Sequence, residues 1–428
     1  MPTPGTGLKF LLRALHYRNY RLFFGGQGIS LIGTWMQQIT MSWLVYRLTG
    51  SPFLLGLIGF SGQIPTFVLA PFAGVFADRF DRRRTLVLTQ ALSMLQALIL
   101  AVLTFTGFVA VWHLVALSLF IGLVNALDIP VRQSFVIDLV ENKKDLGNAI
   151  ALNSVMFNGA RLLGPSIAGV LIGLFGEAVC FLLNGISYFA IVIALLAMNV
   201  RPRVIESSGQ PFLHGLAEGA RYTFGFPPIR DIILFLGLVS FMGTSYLVLM
   251  PVFARDILHG GAYALGFLMG ATGIGALVGA VFLASRRSVR GLGRFLVIAP
   301  MILGVSLVVF SFSRYMALSL VMMLGAGFGM IVHMASSNTV LQTIVEEDKR
   351  GRMMSFYAMA FMGMATFGSL LAGSLAQSLG APATLTICGL ICCAGALVFL
   401  TRLPRIRKLI RPIYIQLGII REMPSEIR

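Results

Sequence analysis

The chain has 428 residues, of which 57% are hydrophobic and only 11% charged. That excludes a water-facing globular domain, which carries charge on about a quarter of its residues, and points to a protein whose surface faces lipid. The net charge of +17 does not signal nucleic acid: apart from Arg47, Arg132, Arg161, Arg255 and Arg314, all 33 Lys and Arg residues fall on the cytoplasmic side if the spans alternate from a cytoplasmic N-terminus. This is the positive-inside pattern, and no soluble basic stripe with interleaved aromatics accompanies it.

The N-terminal segment carries Lys9, Arg13, Arg18 and Arg21 but no cleavable apolar region, so span 1 is expected to serve as its own insertion signal. Apolar runs long enough to cross a bilayer are expected at 20–47, 53–76, 85–106, 112–136, 146–173 and 178–198. Span 1 holds Gln27, Ser30, Thr34, Gln37, Gln38 and Met41 at mostly helical steps, a stripe that lipid does not tolerate. Trp35, Trp43 and Tyr46 beside it suit a bulky amphipathic ligand, with interhelical packing as the alternative use of the same polar groups.

Between spans 2 and 3 lies "GVFADRFDRRR", with Gly74, Asp78, Arg79, Arg82 and Arg83 at fixed spacing. It resembles the loop signature of the major facilitator superfamily of twelve-helix secondary transporters, although Asp81 stands where that family usually has a glycine. The resemblance implies a gating loop. Read from the residues, Asp78 caps a helix or pairs with an arginine, or the basic residues form a plain topology clamp.

In span 4, Asp128 and Arg132 are four apart and share a helix face across Pro130. Arg161 lies about 21 Å along span 5, near mid-membrane. It is expected to pair with Asp128, to bind an anionic substrate group, or to bond backbone carbonyls. Span 5 also carries "NGARLLGPSIAG", with Gly159, Gly164, Pro165 and Gly169; it resembles the Gly-Pro motif of the antiporter branch of the superfamily. Pro165 is expected to kink the helix.

A polar linker from Asn199 to Ile229 divides the chain. Six further spans follow at 230–255, 263–285, 294–312, 315–342, 352–379 and 382–401. The halves are related: Ser30, Gly33, Thr34 and Gly50 recur at Ser240, Gly243, Thr244 and Gly260, while Gly164, Gly169 and Gly176 recur at Gly368, Gly373 and Gly380. The expectation is an all-α membrane protein of twelve transmembrane helices in two parallel six-helix repeats, the major facilitator fold. Residues 1–199 would form the first bundle, 200–229 a cytoplasmic linker, 230–401 the second bundle, and 402–428 a basic cytoplasmic tail on the anionic inner leaflet.

In the second half, His333 is well inside span 10, where it could titrate or simply pack. Thr244, Tyr246, Asn338 and Gln342 add polarity to spans 7 and 10. The resemblance places spans 1, 4, 7 and 10 around a central cavity, so the substrate residues it implies are Gln27, Thr34, Gln38, Met41, Thr244, Tyr246, Asn338 and Gln342. Asp128, Arg132, Arg161 and His333 are the candidates for proton coupling. Cys180, Cys388, Cys392 and Cys393 have no metal-ligand spacing, and no Gly-rich run carries GK[ST], so no metal, cofactor, nucleotide or enzymatic activity is expected.

The N-terminal run "NYRLFFGGQGISLIGTWMQQ" is similar to bacterial exporters related to the enterobactin efflux protein. Together these resemblances imply a monomeric inner-membrane exporter of small drug-like or siderophore-like molecules, working by proton antiport among membrane lipids, with both termini cytoplasmic. A lipid or lysophospholipid flippase of the same fold is the alternative.

Overall fold

Where no water reaches the backbone, every N–H and C=O must be bonded internally, which leaves helices as the available answer for apolar runs of this kind. In the computed structural model this holds throughout the described residues, 12–79, 81–199, 212–286 and 288–420, with side chains at 70–79, 143, 212–218 and 348 not described. Helices α1 (Arg18–Thr49), α2 (Pro52–Arg79), α3 (Arg82–Phe105), α4 (Val111–Asp138), α5 (Leu146–Phe175) and α6 (Glu177–Ala197) realise the first six spans. Then come α7 (Phe212–Gly225), α8 (Pro227–Gly243), α9 (Ser245–Val252), α10 (Gly261–Ala284), α11 (Leu292–Phe312), α12 (Met316–Ile344), α13 (Arg350–Ala358), α14 (Met364–Leu379) and α15 (Ala381–Gln416).

Eleven of these stretches are long and apolar enough to cross a membrane. The 32-residue α1 is not among them, because its glutamines, serines and threonines lower its hydropathy. It is nonetheless the twelfth rod of the fold.

The contacts divide the chain into two compact units. The first is residues 1–209 with 251–270; the second is 210–250 with 271–428. In the first unit α1 packs along α5 and α6, α3 along α6 and α4, and α2 along α4. In the second, α8 packs along α14 and α15, and α11 along α15 and α12. Numbering spans within each half, the adjacencies 1–5, 1–6, 3–6 and 3–4 therefore occur twice. The repeated glycines follow suit: Gly176 (φ 82°) and Gly380 (φ 83°) each end span 5 of their half in a conformation that a Cβ would strain.

Three helices depart from the expected pattern. Span 7 is interrupted at Thr244 and continues as α9 into a π-helical turn, Phe253–Ile257. Span 11 contains a second π turn at Met359–Gly363, between α13 and α14. Such turns leave i→i−4 bonding locally and are frequent at functional positions. The last helix does not stop at 401 but runs to Gln416, because Leu403, Ile406 and Ile410 repeat at helical spacing and stay buried.

Candidate functional site

The polar stripe of α1 separates into two sets once side chains are placed. Gln37 is buried at the centre of a hydrogen-bonded ladder: Asn184 on α6 donates to its Oε1 at 2.8 Å, and its Nε2 donates to Gln96 on α3 at 2.8 Å. Gln96 in turn donates to the Leu117 carbonyl of α4 at 3.4 Å. Four helices are thus joined by side-chain amides that would each cost free energy if left unpaired. Gln27 and Met41 are also buried, whereas Thr34 is half-buried and bonds the Ser30 carbonyl at 2.9 Å, with Tyr188 at 3.3 Å. Gln38 is exposed.

Asp128 is 3% exposed and fully engaged within the first unit. Its Oδ1 accepts from Thr89 and Gln90 of α3, both at 2.8 Å, and its Oδ2 meets Arg132 at 3.2 Å. The i,i+4 pair read from the sequence is therefore formed across Pro130, and it also ties α3 to α4. Arg161 takes no part in it. Its guanidinium lies 5.7 Å from the centroid of Trp35, which is in turn 5.7 Å from Phe157 in an edge-on contact. A cation at the centre of a spanning helix costs about 2.5–3.5 kcal/mol, and a cation–π contact returns about 0.5–2 kcal/mol. The balance stays unfavourable.

The glycines of α5 have separate tasks. A Cβ on Gly164 would fall 2.6 Å from Trp35 Cβ and 2.8 Å from the Ile32 carbonyl oxygen, so only hydrogen lets α1 lie against α5 there. A Cβ on Gly169 would fall 2.6 Å from Gly266 Cα. Gly159 faces open space. Pro165 sits buried inside a helix that remains continuous from Leu146 to Phe175, so it does not break the rod.

The charged loop after α2 is described in part. Gly74, Asp78 and Arg79 lie on the helical end of α2, with their side chains outside the described residues. Asp81, in the place usually held by glycine, has φ −59° and caps α3 by accepting from the Arg84 amide at 2.7 Å. No left-handed residue is needed at that position. Arg82 bonds Asp138 at 2.7 Å, and Arg83 donates to the Leu195 and Leu196 carbonyls at 2.7 and 2.6 Å, where the C-terminal end of α6 favours a cation.

At the other end of the first unit, Arg47 meets Glu177 at 2.6 Å. Tyr46 donates to Asp256, and Arg255 donates to the Tyr46 carbonyl at 3.1 Å. The sequence reading missed this cluster because its paired members are 130 to 210 residues apart and the 251–257 segment gives no periodic signal. Gly266 is the repeat partner of Gly56 in the sequence, but its contact with Gly169 was not read there, although the spacing of Gly266 and Gly270 is that of a close helix contact.

In the second unit Thr244 bonds the Ser240 carbonyl at 2.7 Å at the helix break, and Tyr246 is buried. Gln342 donates to Asn338 at 2.8 Å on the exposed side of α12. His333 is 1% exposed with Phe235 edge-on at 5.1 Å, which in turn stacks on Phe399 at 4.8 Å.

Duplicated six-helix units, membrane-length apolar rods and a few paired charges inside them define a multi-pass membrane transporter of the major facilitator superfamily. Within it, the chain belongs to the family described as transmembrane secretion effectors, whose model matches residues 12–411. It is 26% identical over 385 residues to the staphyloferrin A transporter of Staphylococcus aureus, covering 89% of this chain and 96% of that one. It is 25% identical over 376 residues to the multidrug efflux pump Tap of Mycolicibacterium fortuitum, covering 84% and 88%. Among solved structures it is similar to a POT family transporter in complex with 5-aminolevulinic acid, with TM-score 0.73 and 13% identity over 95% of this chain and 99% of that one. A bacterial homolog of the human lysosomal transporter Spinster is similar at TM-score 0.65 and 16% identity, over 96% and 99%. At such identities the likeness is one of fold.

Proposed function

We propose that this chain exports small amphipathic molecules, of the drug or siderophore type, across the bacterial cytoplasmic membrane by alternating access, as a monomer driven by proton antiport. The observation that carries the reading is the match of residues 12–411 to a family described as secretion effectors. Relatives named for a siderophore and for multidrug efflux support the substrate range. The distribution of Lys and Arg supports cytoplasmic termini.

Coupling is assigned to Asp128. Its carboxylate is held by a cation and two neutral donors in a site 3% exposed. Taking up a proton removes its attraction for Arg132, while the carbonyl oxygen still accepts from Thr89 or Gln90. Protonation thus exchanges a paired Arg132 for an unpaired one, which gives the site two states of different stability. Arg161, Arg132 and His333 remain further candidates, and Gly74, Asp78 and Arg79 with Arg82 and Arg83 form the gating loop of this reading.

The test is flux in proteoliposomes under an imposed proton gradient. Asp128→Asn is expected to abolish gradient-driven transport while leaving counterflow exchange intact; unchanged gradient-driven flux refutes the assignment. Single cysteines replacing Ser208 and Arg428 should both be labelled from the cytoplasmic side.

A further inference from the structure

Arg161 stands out by what surrounds it. It is the sixteenth residue of the 30-residue helix α5, so about 21–23 Å of helix lie on either side. Charges at such depth are ordinarily paired or face a watery cavity. Trp35 offers the guanidinium a ring face at 5.7 Å, which leaves the five N–H donors of the fork without acceptors among the described residues.

The carboxylates that could neutralise it are committed elsewhere. Asp128 is held by Arg132, Thr89 and Gln90; Asp138 by Arg82; Asp145 by Arg13; Glu177 by Arg47; and Asp256 by Tyr46. Asp81 caps α3, and Glu141 is exposed beyond the end of α4. Asp78 lies one residue from the end of α2, far along the chain from mid-span. In the second half the buried Asp231 is held by Arg230 at 3.0 Å and Arg402 at 3.3 Å, and no Asp or Glu occurs between Asp256 and Glu346, or from Lys349 to Arg421. Two arginines and one aspartate within the spans of the first unit leave an excess of one positive charge, and it resides at Arg161.

We propose that Arg161, backed by Trp35, is the recognition point for an oxyanion on the transported molecule, so that this site selects amphipathic acids over cations. A guanidinium presents parallel donors that match a carboxylate or sulfonate. Trp35 and Phe157, edge-on to one another at 5.7 Å, supply an aromatic surface for the apolar body beside the charge. Gly164, one turn further along α5, brings Trp35 against the helix that carries Arg161, so cation and ring are positioned by a single close helix contact. The proposal rests on the transport reading for its meaning as substrate selection, but not for its binding chemistry.

Two xanthene dyes of similar shape and opposite charge serve as probes: carboxyfluorescein, an anion, and rhodamine 123, a cation. Fluorescence anisotropy with the full-length protein in lipid nanodiscs is expected to show carboxyfluorescein bound at least about 10-fold more tightly than rhodamine 123. Arg161→Gln should weaken carboxyfluorescein about 10- to 100-fold, the value of one charge-assisted contact, and leave rhodamine 123 unchanged or improved. Arg161→Lys should fall between. Equal or tighter binding of rhodamine 123 by the wild type, absence of carboxyfluorescein binding, or an Arg161→Gln variant with a native melting curve and undiminished carboxyfluorescein affinity overturns the proposal. The wild-type comparison stands even if the variant fails to fold. Binding as expected without any flux of either dye in proteoliposomes would count against the transport reading alone.

Discussion

Removing the Asp128 carboxylate should leave Arg132 without its partner in a site where Asp128 is 4% and Arg132 21% exposed by side chain. Deleting one member of a buried pair costs about 3–5 kcal/mol because the other charge stays desolvated. The residual water access of Arg132 argues for the lower end, about 3 kcal/mol. Loss of the acceptor for Thr89 and Gln90 adds about 1–2 kcal/mol, since both donors are then buried without that bond. Asp128→Ala should therefore cost about 4–5 kcal/mol, and Asp128→Asn, which strands the same cation but keeps one carbonyl acceptor, about 3–4 kcal/mol.

Because Arg132→Met removes the stranded cation, Asp128→Ala combined with Arg132→Met should recover about 2 kcal/mol relative to the sum of the single changes. For a unit of this size each kcal/mol moves the melting midpoint by about 2–4 °C. Differential scanning fluorimetry in nanodiscs should thus find Asp128→Ala lower by roughly 8–20 °C and the double variant well above the additive expectation. Strict additivity would show that the two side chains are not coupled and would refute the account of Asp128 as the acceptor of a buried pair.

Gly164→Val should push α1 off α5, because even its first carbon falls 2.6 Å from Trp35 Cβ; overpacking of this kind costs about 1–3 kcal/mol, read as a lower melting midpoint with quenched or shifted Trp35 emission. Gln37→Leu should cost about 2–4 kcal/mol by stranding Asn184 and Gln96 at once, and a Gln37→Leu protein that melts like the wild type would contradict the four-helix ladder. Tyr46→Phe removes one charge-assisted bond to Asp256, so amide exchange across residues 251–258 should quicken by a factor of about 5–30, read by mass spectrometry. Arg83→Ala should cost about 1 kcal/mol by uncapping the Leu195 and Leu196 carbonyls, visible as faster exchange confined to the end of α6.

Several features of the fold were legible because they depend on local chemistry alone. Span positions follow from the need to satisfy the backbone in lipid, so α3, α6 and α11 lie within a few residues of the expected runs. The duplication was visible in glycines, and the structure gives the reason at Gly176 and Gly380, whose positive φ admits little else. The Asp128–Arg132 pair was legible because i,i+4 residues share a helix face whatever lies around them. The end of α15 was not, since polar residues after 401 look like a tail until Leu403, Ile406 and Ile410 find a surface to bury against. The π turn at Phe253–Ile257 gave no composition signal either.

Sequence by itself determined that this is a twelve-rod membrane protein with few embedded charges, because hydropathy, charge bias and helical spacing act over one turn or one span. Only the tertiary structure decided which polar groups are bonded into the scaffold and which stay exposed. Gln37 and Gln38 are adjacent and chemically identical, yet one is locked between Asn184 and Gln96 while the other is exposed. Asp128 and Arg161 are both embedded, yet one is saturated by neighbours from α3 and α4 and the other, among the described residues, meets an aromatic face. Such distinctions depend on which helices meet and at what rotation, and those quantities are set by the packing of residues from 39 to 147 positions apart.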